Sequence, residues 1–146
     1  MRVALGAAVF AGTLIALQSV IVGAFGQRLH PFVAALWIHA GGLVFGAVVV
    51  LIGRMGLHVH VVRQAPWGLL AGVAGMLLVT GIAVAVAGLG LASALATVTG
   101  VQLLIGFGIE VARSPAPLTA ATPARLVGAL LIVAGVYLVV SRGPAS

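Results

Sequence analysis

The chain has no cysteine, no lysine and a single acidic side chain, Glu110. Without cysteine there is neither a disulfide framework nor a thiolate metal site. With one carboxylate there is no pair to share two acid/base roles, and the arginines stand unbalanced at a formal charge of +6. The polar surface of a soluble domain is missing too. Charged residues fill 5% of the 146 positions and hydrophobic ones 63%, with a mean hydropathy of +1.35. Soluble domains run at roughly 25% charged and roughly 45–50% apolar. The chain reads as an integral membrane protein, with the lipid bilayer as its first partner. Its arginines are scattered singly between apolar runs, not gathered into the basic stripe that nucleic acid needs, so no nucleic-acid partner is expected. GxSxG, HExxH and P-loop signatures are absent as well, and neither an enzyme nor a cofactor is expected.

What is present is a series of long apolar runs. Pro31, Pro66, Pro115, Pro117, Pro123 and Pro144 lie at their edges, where a missing N–H costs least. Between these marks the spacing predicts an all-α, polytopic helix bundle with spans over residues 3–25, 32–53, 67–87, 91–112 and 125–140, in one integral membrane domain covering 1–146. The first four match the ~20 residues that cross a ~30 Å hydrocarbon core, and the fifth is at the short end. No charge occurs between Arg63 and Glu110, over about 46 residues. One helix of that length would measure about 69 Å, so the run must fold back. GLGLA at Gly88–Ala92 is the place for it. The first run exceeds the 7–15 residue core of a signal peptide, which predicts a retained helix.

Arg2, Arg54, Arg63, Arg113 and Arg125 fall on one predicted side, and Arg28 and Arg142 on the other. That excess predicts a multi-pass inner (plasma) membrane protein with a cytoplasmic N-terminus. The bias is shallow, and insertion in both orientations is compatible with it. Gly42 and Gly46, Gly68 and Gly72, and Ala71 and Gly75 form small-xxx-small pairs, which predict close helix packing within a tight bundle.

Polar groups inside a membrane are costly and mark candidate sites. Thr99, Gln102, Gly106 and Glu110 fall within about an 80° arc of one helix face. Gln102 lies near mid-span and Glu110 about 12 Å further along, toward the cytoplasmic boundary. The plainest role for Glu110 is a boundary ion pair with Arg113 at i+3. Gln18 in the first span offers an amide to a ligand or to a neighbouring helix. His39, beside Gly41 and Gly42 in the second, offers an imidazole to a ligand or to a packing hydrogen bond. His58 and His60 have the spacing of two ligands on an extended segment, but lack cysteine or carboxylate neighbours. They read as solvated loop residues, and no metal site is expected.

The segments AGTLIALQSVIVGAFGQRL, AALWIHAGGLVFG, WGLLAGVAGMLLVTGIAVAVAGLGLASALATVTGVQLL and RLVGALLIVAGVYLVV resemble the small YdcZ-type proteins of the drug/metabolite transporter superfamily over nearly the whole chain. The likeness rests on Gln18, on Gly72, Gly75 and Gly90, on the GQ-like turn carried by Gly100 and Gln102, and on the acid at Glu110. Val22 stands where that family often has asparagine, Glu110 where it often has aspartate, and one residue is inserted between Gly100 and Gln102. The resemblance implies half of a transporter: a small-molecule metabolite or drug permease or exporter working by alternating access. Its expected partner is a second copy or a paralogue in the opposite orientation, since larger superfamily members carry two inverted repeats. Gln18, His39, Thr99 and Gln102 would then line the substrate path, with Glu110 at its mouth. The competing reading is a non-transporting scaffold or accessory subunit whose polar stripe binds a partner helix.

Overall fold

The computed structural model describes residues 2–113 and 122–141. Its elements are all helical: α1 (Arg2–Gly26), α2 (Pro31–Ile52), the short α3 (Val59–Gln64), a 3-10 turn over Pro66–Leu69, α4 (Leu70–Leu89), α5 (Leu91–Arg113) and α6 (Thr122–Ser141). Five stretches have the length and composition of membrane spans: Val3–Gly26, Pro31–Ile52, Pro66–Leu89, Leu91–Arg113 and Pro123–Ser141. The expected five-span, all-α architecture holds, and no boundary moves by more than two residues. Arg142 and the prolines Pro115, Pro117 and Pro144 lie outside the described residues.

Local chemistry sets these boundaries. α2 starts with Pro31 in its first turn, while His30 Nδ1 accepts from the Phe32 amide at 3.3 Å. It ends in a Schellman turn, the amides of Arg54 and Met55 donating to the carbonyls of Leu51 and Val50 at 3.2 and 3.0 Å. Arg54 itself, at φ +50°, takes the left-handed position usually given to glycine. α4 and α5 are separated by Gly90 alone, at φ +76°, a conformation that glycine adopts without steric cost. The sequence places this break within Gly88–Ala92, and the structure narrows it to one residue.

The chain forms two compact units, Met1–Ala87 and Gly88–Ser146. In the first, α1 packs on α2, and its last turns lie against α4. A Cβ at Gly23 would come within 2.6 Å of Val86 Cγ1, and one at Gly26 within 2.9 Å of Ala83 Cβ. Val22, Ala34, Ala35, Val79, Ile82 and Ala83 are buried, as is Ser19, whose hydroxyl donates to the Ile15 carbonyl at 2.7 Å. In the second unit, α5 and α6 run antiparallel. Ser93 Oγ donates to the Val139 carbonyl at 3.5 Å, and a Cβ at Gly100 would meet Val136 Cγ2 at 2.8 Å.

The expected role of the GxxxG pairs needs correcting. Nothing lies within 4 Å of a Cβ placed at Gly42, Gly46, Gly68 or Gly72. Such spacing says that two small residues share a face, not that a neighbour covers it. Of the expected positions only Gly75 is closely approached, a Cβ there standing 3.1 Å from His39 Nε2, and the other close approaches between helices are at Gly23, Gly26 and Gly100. Most large apolar side chains along the spans are exposed, among them Leu43, Phe45, Leu103 and Leu130, as a lipid-facing surface requires.

Candidate functional site

The site is built from the facing sides of α5 and α6. Both helices place small residues at the same level: Gly106 on α5, and Gly128 and Ala129 on α6. No side chain fills the space above Gly106 or Gly128, since nothing lies within 4 Å of a Cβ at either. The result is a groove of about 390 Å³, lined by Gln102, Gly106, Phe107 and Glu110 from α5 and by Arg125, Gly128, Ala129 and Ile132 from α6. On one side of it the helices close up where Gly100 meets Val136. At the other, Arg125 Nη1 donates to Glu110 Oε1 at 2.5 Å. This ion pair bridges the two helices across the groove.

Glu110 therefore pairs with Arg125 on the next helix and not with Arg113, as its i+3 spacing predicts. Fifteen residues separate the pair, and only the antiparallel packing of α5 on α6 brings them together. Arg113 stays in the last turn of α5, where a cation complements the exposed carbonyls of the helix end. Both members of the pair remain well exposed, at 57% for Arg125 and 62% for Glu110. An exposed pair contributes about 0–1 kcal/mol. It holds the groove end without locking it.

The polar stripe on α5 is thus largely gathered into one feature. Gln102, Gly106 and Glu110 share the groove wall, whereas Thr99 is exposed and not among the lining residues. Gln18 and His39 belong to the first unit. Gln18 is exposed on α1, next to buried Ser19. His39 is half-buried, with Nδ1 2.9 Å from the Ala35 carbonyl. A carbonyl only accepts, so Nδ1 donates in this bond, and Nε2 faces Gly75. His58 and His60 do not lie on an extended strand. His58 precedes α3 with φ +40° and His60 is within it, their rings edge to face at 5.9 Å. Among the described residues no three metal-ligating side chains cluster.

Arg125, Gly128 and Ala129 are the members that residue spacing on α5 does not reveal. The usable signal for Arg125 is its position: with Glu110, it is a charge at the membrane boundary on the next span, and the sequence puts both on one predicted side. Over residues 3–138 the chain matches a family model described as "Putative inner membrane exporter, YdcZ". No curated protein and no solved structure matches it.

Proposed function

The chain belongs to the YdcZ family of inner-membrane exporters, and from that premise we propose that it is half of a small-molecule exporter, completed by a second five-helix subunit in the opposite orientation. One observation carries this reading: the polar stripe of α5 opens into a groove on α6 that the Glu110–Arg125 pair spans at one end. A packing stripe would be filled by side chains from the facing helix, and here two glycines keep it empty. Gln102 supplies an amide that both donates and accepts toward a substrate.

Alternating access requires an end that opens and recloses. An exposed ion pair worth about 0–1 kcal/mol suits that task, because thermal energy and a small differential contact with substrate break it. Glu110 and Arg125 form the gate at the cytoplasmic mouth, releasing each other when the two helices separate. The gate carries no net charge, so it sets no barrier of one sign against the substrate.

Export by cells or vesicles carrying Gln102→Leu tests the assignment. Leucine keeps the volume and removes the amide. Transport should fall about tenfold or more, as for loss of a polar contact of about 1.4 kcal/mol or more, while membrane insertion is unchanged. Unaltered transport would remove Gln102 from the path.

A further inference from the structure

The first unit carries a second groove, on the C-terminal half of α2. It has a volume of about 910 Å³, and its wall includes Gly42, Gly46, Ala47 and Val50, with Arg54 and Leu57 where α2 gives way to the loop. Its floor is open backbone, since nothing lies within 4 Å of a Cβ at Gly42 or Gly46. From Gly42 to Arg54 the chain climbs about 18 Å, close to one leaflet's share, ~15 Å, of the hydrocarbon core. Arg54 stands just beyond the end of the span at Ile52, at headgroup depth.

We infer that this groove holds one anionic phospholipid, an acyl chain lying along Gly42–Val50 and the phosphate on the Arg54 guanidinium. Charge singles out this occupant. The chain's one carboxylate side chain, Glu110, is engaged by Arg125, which leaves none for Arg54. Arg54 is the one charged residue in the wall of the groove, and the segment that follows, as far as Arg63, holds no acid in its sequence, so the mouth of the groove carries an unbalanced positive charge. A second copy of this chain would bring the same surplus of arginine and a glutamate already paired, and would face Arg54 with like charge. A phospholipid supplies the missing anion, and its tail ends where the groove does.

Native mass spectrometry of the full-length protein, released from micelles containing equimolar phosphatidylglycerol and phosphatidylcholine, tests this. The wild-type chain should retain phosphatidylglycerol over phosphatidylcholine by about fivefold or more. Arg54→Gln and Gly46→Leu should each bring the ratio near parity. Gly12→Leu, on an equally open face of α1, and Arg28→Gln should leave it unchanged. Parity in the wild-type chain would overturn the inference. So would loss of preference in Arg54→Gln but not in Gly46→Leu, which would mean surface charge alone. A shift from dimer to monomer in Gly46→Leu at an unchanged lipid ratio would equally overturn it, by making the groove a contact between copies.

Discussion

Glu110 illustrates what a single residue tells before and after folding. Its rarity and its place on the Gln102 face are legible in the sequence, because both depend only on composition and on a 100° turn per residue. Its partner is not. Local rules favour Arg113 at i+3, and the choice of Arg125 depends on how α6 packs on α5. As the proposed gate, the Glu110–Arg125 pair should contribute little stability and much control. Arg125→Gln should change thermal stability in detergent by no more than about 1 kcal/mol, yet raise passive leak of substrate through reconstituted vesicles. A large loss of stability with no change in leak would make the pair a structural clasp.

At the scale of the helices, the sequence is most readable where the bilayer dictates the answer. A backbone in hydrocarbon must satisfy its own hydrogen bonds, so each long apolar run is a helix and each proline or glycine edge is a boundary. That is why five spans could be drawn within two residues of their observed ends. The role of each glycine was not readable in this way, because it depends on which neighbour a helix face meets. Two glycines of α5 make the contrast measurable. Gly100→Ala must displace the stiff, β-branched Val136 and should destabilise the protein by about 1–3 kcal/mol. Gly108→Ala, with nothing within 4 Å, should be neutral or stabilising, by up to about 1 kcal/mol from helix propensity. Equal effects in a melting series would show that α5 and α6 do not pack at Gly100.

For the whole molecule, the orienting charges bear on assembly. Five arginines against two give a weak orienting bias, and the half-transporter we propose would need an inverted partner. The absence of cysteine makes the test clean. A lone cysteine at Gln27, in the turn between α1 and α2, should be labelled by an impermeant thiol reagent in about half of the molecules before cells are permeabilised. Labelling of nearly all or nearly none would mean one orientation, and would require a paralogue as the inverted half.

The most direct test of the central claim, that the α5–α6 groove is a wet path, is the reactivity of a cysteine at Gln102 toward a hydrophilic thiol reagent in membranes. Val101→Cys is the comparison, at the same depth on α5 but outside the groove. Rapid modification at position 102 with little at 101, slowed when substrate is bound, is the result the account expects. A cysteine at 102 as unreactive as one at 101 would contradict it, and would mark the polar stripe as a dry contact for a partner helix.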